Sequence, residues 1–311
     1  MMLSGLLLID KEKGPTSHDV VEQVRKILKI KQVGHAGTLD PFATGLLLVG
    51  FGKATRLLEY LQGEGKIYQV KMKLGLITDT FDITGNVMEE HPVDVGESVI
   101  LEVVRSFIGK YAQVPPAYSA RKYQGKRLYE LAREGKIINL PPRDVEIYEI
   151  CDVRIEVPYV EFTAKVSAGT YIRSLCMDIG YKIGCGATAV ELRRISVGKF
   201  KVDDAVRIDE LKEAKGIESS SAFVPIESML NFPKVWIIDE KKVYNGMQPK
   251  VSDLQHYERF EKDDTIQIFY HDKLIALAMA ERSSQFIDTL AKQGRDERIA
   301  TLKKVIKTEG E

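Results

Sequence analysis

The chain has 311 residues, 44% hydrophobic and 29% charged, enough for one large domain or a main domain with a small companion. Its longest apolar run, residues 45–51, is far short of the ~20 residues a membrane-spanning helix needs, and the N-terminus lacks the features of a secretory signal. Three cysteines without CxxC spacing argue against a disulfide framework or structural zinc and fit a reducing cytoplasm.

Residues 5–9 read as a short buried strand. Thr16 or Ser17 then caps an amphipathic helix with Val20, Val21, Val24, Ile27 and Leu28 on one stripe. A glycine-rich turn follows (VGHAGTLDP), and a short helical or irregular stretch leads into the apolar residues 46–49. Residues 53–61 look helical. Tyr68, Val70, Met72 and Leu74 alternate with Gln69, Lys71 and Lys73, the pattern of a half-buried strand. Periodicity predicts a helix over 98–108, strands near 145–157 and 160–166, and a helix opened by Gly169-Thr170 that runs through residue 179. Strands and helices mix without regular βαβ alternation, so the predicted class is α+β.

A domain boundary is predicted within 218–233. Beyond it, strand-like residues 265–270 and 274–280 suggest a small β-rich module. Residues 231–311 carry 14 basic and 14 acidic side chains, so charge alone does not mark this module for RNA. The polar residues from 291 onward form a helix or fray.

The 45 basic and 45 acidic residues cancel over the whole chain, but not locally. Residues 105–143 hold nine basic side chains against two acids, a net +7, with Tyr111, Tyr118, Tyr123 and Tyr129 interleaved. Cations neutralise phosphates and aromatic faces stack on unpaired bases, so this segment favours RNA or DNA over a merely solvated surface.

Several other signals fail. Gly52-Lys53 is followed by Ala54, and Leu47 stands where a phosphate-binding loop needs its first glycine. Ser17-His18-Asp19 are neighbours on one helix and point in different directions; His18 reads as a surface residue. No metal-binding pattern is present. In GHAGTLDPFATG, Asp40-Pro41 can begin a helix with Asp40 as its cap. Alternatively, Asp40 is a nucleophile held ionised by a cation.

The segment GHAGTLDPFATGLL resembles the catalytic motif of the TruB family of tRNA pseudouridine synthases. Further matches follow in order: Lys66-Ile67-Tyr68, Thr78-Asp79-Thr80-Phe81-Asp82, Pro115-Pro116-Ala117-Tyr118-Ser119-Ala120, and Gly169-Thr170-Tyr171-Ile172-Arg173. Together they cover residues 5–200. The resemblance implies a pseudouridine synthase catalytic domain over 1–230, with a mixed, mainly antiparallel sheet and flanking helices, and an RNA-gripping insertion at about 105–143. Residues 231–311 resemble, more loosely, the RNA-binding PUA domain of this family.

The implied activity is isomerisation of uridine 55 in the tRNA T loop, without cofactor or metal, by a cytoplasmic monomer that needs no obligate protein partner. Asp40, Tyr68 and Arg173 carry catalysis: Asp40 attacks the base or the sugar, Arg173 fixes the carboxylate, and Tyr68 stacks on the uracil. His35 fills the space the flipped base leaves. Arg56 and Asp82 match substrate-contact positions, and Arg121, Lys122, Lys126 and Arg127 are candidates for the RNA backbone. The competing readings are a guide-RNA-dependent enzyme and a non-catalytic RNA chaperone.

Overall fold

The computed structural model describes residues 4–306 apart from 117, 119–121, 124–125, 128–139, 214–215 and 218–219, with only the main chain at 122–123 and 126–127. The chain divides into two compact units. One comprises Leu7–Phe51 and Thr55–Phe223; the other is built on the chain from Val224 onward, with Gly52–Ala54 and the N-terminal residues through Leu6. Among the described residues no helix is long and apolar enough to cross a membrane.

The first unit begins with β1 (Gly5–Lys11) and α1 (Ser17–Leu28). Thr16 caps α1 reciprocally: its hydroxyl accepts from the Asp19 amide at 3.1 Å, and the Asp19 carboxylate accepts from the Thr16 amide at 2.8 Å. Val20, Val21 and Val24 are the buried face. Next come β2 (Val33–Ala36), β3 (Thr44–Phe51), a 3-10 turn at Gly52–Leu57 and the short α2 (Leu58–Gln62). The helix predicted over 53–61 is therefore mostly 3-10, and only its last turn is α-helical.

The chain continues through β4 (Lys66–Leu74), the hairpin β5 (Leu76–Thr78) and β6 (Val87–Glu90), α3 (Glu97–Arg105) and β7 (Gly109–Gln113). Two short paired strands, β8 (Lys122–Tyr123) and β9 (Lys126–Arg127), precede the long β10 (Arg143–Glu156) and β11 (Tyr159–Val166). Then come α4 (Ile172–Ile183), β12 (Ala187–Val197), β13 (Phe200–Lys201) and α5 (Ile208–Glu213), before β14 (Phe223–Pro225) leaves the unit. The predicted strands and helices at 145–157, 160–166, 98–108 and 169–179 are found with shifted ends. α4 runs four residues further than expected and stops at Gly184, which is left-handed.

The main sheet runs β1-β3-β12-β4-β11-β10-β7, with β2 on β3 and β13 on β12. β4 is antiparallel to both β12 and β11, while β12 meets β3 in parallel. This is the mixed, mainly antiparallel sheet of an α+β fold. β4 buries Tyr68, Val70, Met72 and Leu74 and leaves Gln69 exposed, as period-2 alternation requires. At the β3–β12 crossing Gly45 has φ +98°, and a Cβ there would lie 2.3 Å from the Arg194 carbonyl oxygen. Only glycine fits.

The second unit is a five-stranded sheet in the order β16-β15-β17-β18-β19. Its strands are β15 (Lys234–Ile237), β16 (Leu254–Tyr257), β17 (Thr265–Tyr270), β18 (Lys273–Ala280) and β19 (Ala300–Val305), with helices α6 (Glu240–Tyr244) and α7 (Ser284–Lys292). Val235, Ile237, Ile266, Ile268, Ala276 and Ile287 contribute to its core. β19 corrects the expectation of a helix or frayed end after residue 291. Its sequence ATLKKV hides the strand behind two lysines, of the kind that protect a sheet edge.

Candidate active site

A cavity of about 410 Å³ opens beside β4, lined by His35, Thr38, Asp40, Lys66, Tyr68, Arg143, Thr170, Tyr171, Arg173 and Arg194, among others. Asp40 sits on the loop between β2 and β3. No helix follows it: Pro41 and Phe42 form a turn and β3 begins at Thr44. The helix-cap alternative for Asp40 therefore falls away, and the loop presents its side chain, one-third exposed, to the cavity.

Three side chains buried behind the loop hold its backbone. Ser17 Oγ accepts from the Leu39 amide at 2.8 Å and donates to the Leu39 carbonyl at 3.0 Å. Arg194, 1% exposed, donates to the carbonyls of Leu46 (2.8 Å), Gly37 (3.1 Å) and Thr38 (3.4 Å). Lys11 donates to the carbonyls of Glu12 and Pro15, both at 2.9 Å, and of Pro41 at 3.4 Å. Burial lowers the Lys11 pKa to about 8, with Asp40 pulling it back up and Arg194 lowering it further. Polar groups this deep persist because each is matched by carbonyl acceptors.

Arg173, in the first turn of α4, grips Asp40 with Nε at 2.9 Å and Nη2 at 3.2 Å. Its other contacts are the Thr80 carbonyl (2.7 Å), the Asp82 carboxylate (3.1 Å) and the Tyr118 carbonyl (2.8 Å). All four Nη hydrogens thus have acceptors, and Nε completes the ion pair with Asp40, so the buried guanidinium is held on every side.

Tyr68 is 7% exposed and shares the cavity wall with Asp40; it lies opposite Ala164 of β11 and Arg194 of β12 in the sheet register. His35, on β2, lines the same cavity. Lys66 forms another part of the wall. Its ammonium donates to the carbonyls of Gln62 (2.8 Å) and Glu64 (2.6 Å), and burial, aided by Arg194, lowers its pKa to about 8.

The structure thus brings Asp40, Tyr68, Arg173 and His35 together. Two other predicted contacts are placed elsewhere. Asp82 is 4% exposed and stands behind Arg173, also accepting from the Thr84 amide at 3.0 Å, because its carboxylate belongs to the buried ion pair. Arg56 is exposed on the 3-10 turn and is not among the residues lining the cavity. Arg121 and the side chains of Lys122, Lys126 and Arg127 lie outside the described residues. His18 is at the surface beside Glu22. Among the described residues no group of His, Cys, Asp and Glu could hold a metal ion.

Sequence reasoning overlooked Lys11 and Arg194, and read Ser17 as a possible helix cap or as part of a Ser-His-Asp run that fails as a triad. Arg194 offered one faint signal, an arginine on the same face as Leu192 in the LRRIS run of β12.

The chain matches the sequence pattern of the TruB family pseudouridylate synthase N-terminal domain over residues 25–172 and that of the tRNA pseudouridylate synthase B C-terminal domain over 173–231. It is 52% identical to tRNA pseudouridine synthase B of Thermotoga maritima over 311 residues, 99% of this chain and 100% of that protein. The chain belongs to the TruB family of pseudouridine synthases. Another family member, tRNA pseudouridine synthase B of Clostridium tetani, is 39% identical and covers 88% of this chain and 95% of its own length.

Solved relatives agree with the family fold. The archaeal box H/ACA Nop10–Cbf5 complex contains a chain with TM-score 0.75 and 28% identity, covering 99% of this chain and 88% of that one. A Cbf5–Nop10–Gar1 complex contains one with TM-score 0.72 and 32% identity, covering 97% and 85%.

Proposed function

We propose that this TruB-family enzyme acts on tRNA, converting uridine 55 of the T loop to pseudouridine, alone and without a guide RNA. One observation carries the reading: Asp40, gripped side-on by Arg173, shares a cavity wall with Tyr68. The family relationship supplies the reaction class, and the relatives named for tRNA supply the substrate.

The reaction breaks the N1–C1′ bond, turns the uracil and joins C5 to C1′; N1 ends with a proton and C5 loses one, so nothing external is consumed. The target base leaves its stack at a cost of a few kcal/mol, which His35 offsets in part by stacking where the base had been. Tyr68 packs against the flipped uracil and its hydroxyl is the candidate acceptor of the C5 proton. Asp40 attacks the base or the sugar so that the glycosidic bond opens, and Arg173 holds the carboxylate aimed. Residues 105–143 grip the RNA backbone through their net positive charge, and residues 231–311 act as a PUA-like RNA-binding module.

Incubating purified protein with an unmodified tRNA transcript and mapping pseudouridine tests this reading. One new pseudouridine at position 55 is the expected product. Modification elsewhere, or only when guide RNA or further proteins are added, overturns it.

A further inference from the structure

The last residue of β7 reaches the catalytic arginine indirectly. Gln113 is 1% exposed, and its side-chain amide engages both main-chain groups of Tyr171: Oε1 accepts from the Tyr171 N–H at 2.8 Å and Nε2 donates to the Tyr171 carbonyl at 3.1 Å. The second Nε2 hydrogen goes to the Tyr111 hydroxyl, so the amide is fully matched. Tyr171 is the residue that begins α4, and it has no side-chain cap of its own. Two residues later stands Arg173.

The chain just beyond Gln113 is fastened to the same helix turn. Ser174 Oγ donates to the Val114 carbonyl at 2.9 Å, and Arg173 Nη2 donates to the Tyr118 carbonyl at 2.8 Å. Gln113 also pairs with Arg143 across β7 and β10. The chain between Gln113 and Arg143 is therefore closed at its base by this pairing, and Val114 and Tyr118 within it are bonded to the helix turn that aims the guanidinium at Asp40.

We infer that Gln113 is a positioning residue for catalysis: its amide fixes the first turn of α4, setting Arg173 against Asp40 and tying the base of the basic segment to that geometry. A side chain that merely filled space would not need to match both the donor and the acceptor of one backbone residue. An amide does so because it carries both groups in one plane, as a neighbouring strand would. The inference rests on the reading of Asp40 and Arg173 as the catalytic pair.

The test measures kcat and KM on an unmodified tRNA transcript for Gln113→Met and Gln113→Glu, per folded molecule as judged by circular dichroism. Gln113→Met keeps the length and loses both bonds to Tyr171. Its kcat falls roughly 10- to 100-fold, the scale on which small misplacements act, while KM stays within about twofold. Gln113→Glu retains an acceptor for the Tyr171 N–H and loses less; if the methionine variant does not fold, the glutamate variant carries the test, with reduced kcat at unchanged KM. Wild-type kcat in a folded variant overturns the inference, and so does a loss confined to KM, which would make Gln113 part of the RNA grip. Asp40→Asn, run alongside, separates the two claims. If it is inert while Gln113 variants turn over normally, only positioning fails; if it is active, the catalytic pair itself is wrong.

Discussion

Arg173 meets Asp40 side-on, through Nε at 2.9 Å and Nη2 at 3.2 Å, while its Nη1 reaches Asp82 at 3.1 Å. Two carboxylates share one guanidinium but not one environment. The Asp40 side chain is 34% exposed and faces the cavity, whereas that of Asp82 is 6% exposed and faces away from solvent. The exposed carboxylate is available to a substrate; the buried one orients the arginine.

That division predicts how Asp82→Ala behaves. Breaking a buried ion pair from one side costs about 3–5 kcal/mol, so denaturant unfolding should show a loss of this order. In protein still folded, turnover falls because Arg173 is less constrained, and tRNA affinity is unchanged. Weakened tRNA binding with normal turnover would instead make Asp82 the RNA contact that its place in the family motif suggests.

Tyr68 separates stacking from proton removal. Tyr68→Phe keeps the ring and deletes the hydroxyl, so tRNA binding persists while turnover collapses. Tyr68→Leu also loses the stack, worth about 1–3 kcal/mol per base, and binds more weakly. Binding titrations and single-turnover assays distinguish the two. Normal turnover by the phenylalanine variant would reduce Tyr68 to a stacking surface.

Asp178, further along α4, gives a pH dependence of stability. Burial raises its pKa from 3.8 to about 6, although a hydrogen bond from Tyr111 pulls the other way. The folded protein therefore holds this proton more tightly than the unfolded chain. The burial cost of the carboxylate is fully present above pH 6, shrinks as pH falls toward 4, and is absent below. Asp178→Asn removes the charge and keeps an acceptor for Tyr111. Partial exposure screens the effect, so the variant should be more stable at pH 8 by about 1 kcal/mol, with the difference vanishing at pH 4. A variant less stable at pH 8 would contradict this.

The site was legible through the family motifs and not through the residues singly. Alone, Asp40 reads as a helix cap, Tyr68 as a buried position of an alternating strand and Arg173 as a helix-face ion pair; the resemblance singles all three out, and the fold brings them to one cavity. The supporting shell was not legible, because Arg194 and Gln113 act through backbone carbonyls and amides that only the tertiary structure supplies. Periodicity gives a buried arginine no signature of its own. The same blindness hid β12 and β19, whose paired arginines and lysines mask the strand pattern, while the alternation of β4 was plain.

Asp40→Asn tests the central claim most directly. The substitution is nearly isosteric and removes the anion on which attack at either the base or the sugar depends. Loss of a nucleophile costs on the order of 10³- to 10⁶-fold in rate, judging from comparable deletions. Phosphate contacts and the stacking surface lie elsewhere, so the account predicts a folded protein that binds unmodified tRNA with near-normal affinity and forms no measurable pseudouridine at position 55. Near-normal pseudouridine formation by this variant would contradict it.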